Sequence, residues 1–79
     1  MPLFFLDVCN SDVMAKDTEG HDLPDLEAAR RTAIAGIRSI LAHEVAEGRL
    51  DLRGEIRIGN ERGDVLRVVP YADAIDIKI

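Results

Sequence analysis

Seventy-nine residues suffice for one domain with a modest core, and a composition 47% hydrophobic and 32% charged excludes a disordered chain. A formal net charge of −5 argues against wrapping nucleic-acid phosphate, which requires a concentrated basic surface. One cysteine excludes an internal disulfide, so an oxidising compartment is not indicated.

The first stretch, MPLFFLDVCN, has no basic n-region, and its apolar run ends at Asp7. Neither a signal peptide nor a membrane span is expected, and a cytoplasmic protein is the default. Charge is uneven along the chain. Residues 1–29 carry seven acids against one base, Lys16, whereas residues 30–67 carry eight arginines interleaved with six acids. Such interleaving predicts solvated ion pairs rather than a basic patch.

Leu3–Cys9 is a bulky apolar run and predicts a strand. Phe4, Leu6 and Val8 fall on one face, and Leu3, Phe5, Asp7 and Cys9 on the other. Both faces are largely apolar, as for a central strand covered on both sides. Asn10-Ser11-Asp12 is a turn cluster, after which Val13–Lys16 returns as a hairpin partner. Asp17-Thr18-Glu19-Gly20 reads as a second turn with glycine at its end. His21-Asp22-Leu23 then leads into a helix.

The helix is predicted over about residues 25–47. At 100° per residue Leu26, Ala29, Ala33, Ile34, Ile37, Ile40, Leu41 and Val45 share one arc, wide enough to cover a sheet. Asp25 is the expected N-cap, with Asp22 a second possible cap. Pro24 pushes Leu23 to extended geometry. Glu27 suits the positive end of the helix dipole and stands four residues before Arg31. Gly48 suits the left-handed position after the last turn, with Leu50 as the apolar residue that folds back. Ala28, Ala35 and Ala42 recur every seven residues away from that arc. Either they are good helix formers on a solvated surface, or they form a close contact with another subunit.

In the connector RLDLRG, Leu50 and Leu52 are placed to plug the junction of helix and sheet. Glu55–Asn60 and Asp64–Val69 form the clearest hairpin, around a three-residue loop Glu61-Arg62-Gly63 with Gly63 left-handed. That register sets Ile58 against Leu66 and Ile56 against Val68 on the inner face, and Arg57 against Arg67 on the outer. Two opposed arginines need a neighbouring negative charge. Asp7 would supply it if the first strand lies beside the fourth; the alternative is a bound anion or an acidic partner. Pro70 ends the hairpin, Tyr71–Ala74 forms a bend, and Ile75, Ile77 and Ile79 alternate with Asp76 and Lys78 as in a half-buried strand.

The whole reads as a single α+β domain over residues 1–79, of order ββαββ. One long helix packs on one face of a four-stranded antiparallel sheet. The strands are ordered 2-1-4-3, counted along the chain, which places Asp7 near Arg67. One helix covers one face only. The other face would carry Leu3, Phe5, Val65 and Val69 around Arg57 and Arg67, too much apolar surface to leave wet. The tail over 71–79 covers it, a second subunit covers it, or exchanged tails do both.

No catalytic signature emerges. Cys9 needs an adjacent base to act as a nucleophile, and neither His21, in a turn, nor His43, on the helix, is placed beside it by spacing. His43 and Glu47 stand four residues apart, but two ligands fall short of a zinc site. DTEGHD lacks the ligand alternation of a calcium loop. No Gly-rich phosphate loop or nucleophile elbow is present. Asp7, Asp17 and Asp22 suit turn and surface roles better than acid–base work. No cofactor and no metal are expected.

The strand FFLDV, the turn DTEG, the helix opening LPDLEAAR, the connector GRLDL and the ending ERGD…VVPYADAI occur together. In this the chain resembles a family of small bacterial proteins classed as a domain of unknown function, over essentially its whole length. That resemblance implies a bacterial cytosolic protein and supplies no activity. A more distant similarity, through the LPD segment before a helix rich in E-A-A, is to antitoxins with a partial ribonuclease-H-like fold. Here two strands precede and two follow the helix, and no DNA-binding module is appended.

The reading that results is a small binding or interaction protein, homodimeric and without catalysis of its own. It contacts neither nucleic acid nor membrane. Its candidate contact residues are Leu3, Phe5, Arg57, Val65, Arg67 and Val69 on the sheet, and Ala28, Ala35 and Ala42 on the helix. The alternatives are an antitoxin-like regulator that binds a basic partner through the acidic N-terminal third, and a minor thiol- or acid-dependent hydrolase.

Overall fold

The structure, a computed structural model, describes residues 2–11 and 13–79. Its elements run β1 (Leu3–Cys9), β2 (Met14–Ala15), β3 (His21–Asp22), α1 (Leu26–Ala46), β4 (Glu55–Gly59), β5 (Val65–Pro70) and a 3-10 turn (Tyr71–Ala74). The architecture is α+β, with one long helix packed on one face of an antiparallel sheet.

β1 is the hub. One of its edges pairs with β4; the other pairs with β2 near Cys9 and with β3 near Leu3. His21-Asp22, expected only to lead into the helix, is therefore a fifth strand, and Asp22 is not a helix cap. Asp12 of the first expected turn lies outside the described residues; Asn10 and Val13 close that turn by two hydrogen bonds of 2.9 and 2.8 Å.

The sheet runs β2-β1-β4-β5. Counted over the four expected strands this is 2-1-3-4, not 2-1-4-3, and Asp7 stands opposite Arg57 instead of beside Arg67. The reason lies in Pro70. The Tyr71 amide donates to the Gly54 carbonyl at 2.9 Å, so the backbone of residue 70 faces away from β4. Proline has no amide to give there, and β5 is confined to the margin of the sheet. The central place falls to β4, whose Ile56 and Ile58 are buried.

The helix starts as expected. Asp25 Oδ1 accepts the Ala28 amide at 2.8 Å, satisfying one of the orphan donors of the first turn. It ends at Ala46, and the chain turns away at Gly48, whose φ is +85°. There the Gly48 and Arg49 amides donate back to the carbonyls of Val45 and Glu44. Leu50 does not fold back, being half exposed, whereas Leu52 packs against the core. Val45, expected in the buried arc, is exposed because the helix outruns the sheet at that end. Ala28 is buried while Ala35 and Ala42 are exposed, so the three do not form one surface.

The hairpin loop forms as predicted, with the Asn60 amide donating to Asp64 O and Gly63 at φ +86°. Gly59 meets Val65, but a bulge follows, and Leu66 becomes an extra residue. Beyond it Ile58 faces Arg67, Arg57 faces Val68 and Ile56 faces Val69. The expected opposition of Arg57 and Arg67 is dissolved. Val69 turns into the core, where it is 3% exposed, and Val68 takes its place on the outer face.

Tyr71, Ile37 and Ile58 are the largest fully buried side chains. The Tyr71 ring lies against Gly54 so closely that a Cβ there would overlap it. Arg38 Nε donates to Ala74 O at 2.7 Å and fixes the 3-10 turn to the helix. The chain thus reaches Ile75 on the helix side. Ile75 packs on the core, Ile77 and Ile79 are exposed, and residues 75–79 form no strand. The tail does not cover the outer face.

Candidate functional site: the outer face of the sheet

The strand alternation of β1 sends Leu3, Phe5, Asp7 and Cys9 away from the helix. Cross-strand pairing adds Glu55, Arg57 and Gly59 from β4, Val65 and Val68 from β5, and Met14 from β2. A shallow groove of about 220 Å³ crosses this face over Gly59. It is lined by Phe5, Asp7, Lys16, Asp17, Arg57, Val65 and the 60–63 loop. Its charges nearly balance: Asp7, Asp17 and Glu61 against Lys16 and Arg57.

Asp17 builds one wall of this groove. It accepts the amides of Glu19 and Gly20 on Oδ1 and that of Leu6 on Oδ2 at 3.2 Å. The Leu6 amide lies on the β1 edge between the segments paired with β2 and β3, so a side chain fills a gap in the ladder. Asp7 reciprocates, its Oδ1 accepting the Asp17 amide at 2.9 Å. Partial burial on its own would raise the Asp17 carboxyl. The amides of Gly20, Leu6 and Glu19, with His21 at 3.0 Å, outweigh this and hold it below the usual carboxylate range. The turn so fixed brings Gly20, at φ +80°, onto the Phe5 ring. Phe5 is therefore largely covered by its own chain, a contact that strand alternation alone does not reveal.

Arg57 lies exposed in the middle of the face. Its Nε donates to Glu55 Oε2 at 2.6 Å, and Asp7 is its cross-strand neighbour. The hydrogen bond to Glu55, then the negative charges of Glu55 and Asp7, push the guanidinium further toward the charged form. Val65 is 57% and Val68 44% exposed, and Met14 54%.

Of the residues expected here, Leu3, Phe5, Arg57 and Val65 share the outer face. Arg67 is exposed but in the row of Ile58, on the opposite side, and Val69 is core. Asp7, expected on this face as the negative neighbour of the arginines, is there, whereas Asp17, Gly59 and Val68 belong to the site and were not among the expected set. The Asp17 turn had a signal, an aspartate three residues before a glycine. Val68 had none, because the bulge that turns it outward leaves no mark among neighbouring valines.

The thiol shares this face but stands far from His21. Cys9 pairs with Glu55 at one end of β1 and His21 with Phe4 near the other, five residues or about 17 Å away. His43 Nε2 stands 3.5 Å from Glu47 Oε1. No group of three or more His, Cys, Asp or Glu able to hold a metal occurs among the described residues. Among them, too, no helix is long and apolar enough to cross a membrane.

Fold and site together define a small α+β domain with a helix over one sheet face and a mixed apolar and charged surface on the other. The chain belongs to the family described as a domain of unknown function, DUF6894, whose model matches residues 3–72. No curated protein and no solved structure matches it.

Proposed function

We propose that this is a binding protein that works through contact rather than catalysis, and that the outer face of its sheet is the contact surface, with a second copy as the occupant. The observation that supports this reading is the exposure of Val65, Val68 and Met14 on a sheet face that no layer of the described chain covers. Val65 and Val68 are neighbours on β5, and soluble monomers seldom leave contiguous apolar side chains wet without a use. A cytoplasmic setting accords with the lone, unpaired Cys9. Light scattering across a concentration series tests the reading. Mass rising from monomer to dimer is expected, and a strict monomer at high micromolar concentration would refute it.

A second reading, an acidic regulator of a basic protein, draws on Glu19, Asp22, Asp25 and Glu27. All four are exposed between the second turn and the first helical turn. Affinity purification from the native cell that recovers a small basic protein, in place of a second copy, would favour it.

A further inference from the structure

We infer that two copies pair with their outer faces together, about a two-fold axis that runs along the seam between β1 and β4. This deepens the self-association reading and rests on it. The sheet order β2-β1-β4-β5 is symmetric in strand count about that seam. A two-fold axis along it lays β1 of each copy over β4 of the other, so each outward-facing cross-strand pair of β1 and β4 becomes a contact between copies. Asp7, directly opposite Arg57 in one sheet, then also faces Arg57 of the second copy, and the reverse contact forms by symmetry.

Phe5, directly opposite Gly59, faces Gly59 of the second copy. Glycine leaves a hollow at that point, and the groove of about 220 Å³ lies there. The exposed Val65 and Val68 of β5 come over β2 and the 16–20 turn of the other copy. Aligned sheets pack at about −30°; the contacts nearest the axis keep their partners at that angle, and the outer ones shift.

Charge selects this axis over its neighbours. An axis along β4 would set Arg57 on Arg57, and one along β1 would set Asp7 on Asp7. Like charges brought together at an interface are costly. The face is small. Four strands at about 4.8 Å and five residues at about 3.4 Å span roughly 19 by 17 Å. That size belongs to weak, concentration-dependent complexes.

Sedimentation velocity of the full chain, from low to high micromolar concentration, tests the placement. The wild type is expected to shift from monomer to dimer. Arg57→Glu and Asp7→Lys should each weaken the dimer by about tenfold or more, since each sets like charges across the axis. An equimolar mixture of the two variants should recover a heterodimer, because Asp7 then meets Arg57 and the introduced charges meet each other. Asp7 also holds the Asp17 amide, so Asp7→Lys can disturb the turn. Val68→Lys removes no side-chain hydrogen bond and should weaken the dimer as well. A wild-type monomer throughout overturns self-association itself. A wild-type dimer indifferent to Arg57→Glu and Val68→Lys keeps self-association and overturns this surface. Weakened single variants whose mixture fails to recover overturn the seam axis.

Discussion

At the scale of single residues, Asp17 does what several residues of strand would otherwise do. Its carboxylate takes three backbone amides, on Leu6, Glu19 and Gly20. Asp17→Ala leaves them without that acceptor and should cost about 1–3 kcal/mol. Faster amide exchange at Leu6 and Gly20 would locate the loss in the turn. The pH dependence follows from the direction of its shift. The folded carboxyl titrates below the unfolded one, near 3.9. Its contribution is therefore complete above about pH 5 and disappears as pH falls through the lower, folded value. Urea midpoints measured downward from pH 5 should decline, and Asp17→Asn should flatten that decline. Tyr71 is the opposite case. Its ring is fully buried against Gly54, yet its hydroxyl finds no hydrogen-bond partner among the described residues. Tyr71→Phe keeps the ring and removes the orphan group. Thermal unfolding should show stability unchanged or raised by up to about 1 kcal/mol.

At the scale of elements, the bulge decides which valine is core. Deleting Leu66 removes the one residue that the ladder does not pair, leaving Arg67, Val68 and Val69 opposite their present partners. Deleting Val68 instead draws Val69 out of the core, forfeiting about 1.5–3 kcal/mol of burial. Urea denaturation should rank the Leu66 deletion well above the Val68 deletion in stability. The same bulge marks the limit of what could be read from residues alone. Asp25, Gly48 and Gly63 announce their roles because capping and left-handed turns demand particular side chains. So does the apolar arc of the helix, apart from Val45 and Ala28. Period-two alternation also identifies the outward row of β1, which supplies Phe5 and Asp7 to the candidate site. Past the bulge the alternation continues unbroken in either register, since Val68 and Val69 are chemically equivalent. Tyr71 escaped because four residues of 3-10 turn carry no periodicity, and β3 because two residues make no pattern at all.

At the scale of the whole molecule, the tail and the sheet part company. Alternating isoleucines at 75, 77 and 79 suggested a strand laid over the outer face. Instead Arg38 holds the 3-10 turn to the helix and only Ile75 packs on the core. Removal of residues 76–79 should therefore change the urea midpoint by no more than about 0.5 kcal/mol equivalent. It should leave any dimer formed through the outer face intact, as analytical ultracentrifugation would show.

Pro70 bears on what kind of association this chain permits. A sheet margin grows by handing each new chain an unbroken ladder of donors and acceptors. On β5 that ladder has a missing donor at Pro70 and a dislocation at Leu66. Recruitment at the rim stalls, so crowding should yield small closed assemblies instead of endless ribbons. Pro70→Val restores the donor, and a fibril-sensitive dye should then report faster growth than in the parent chain.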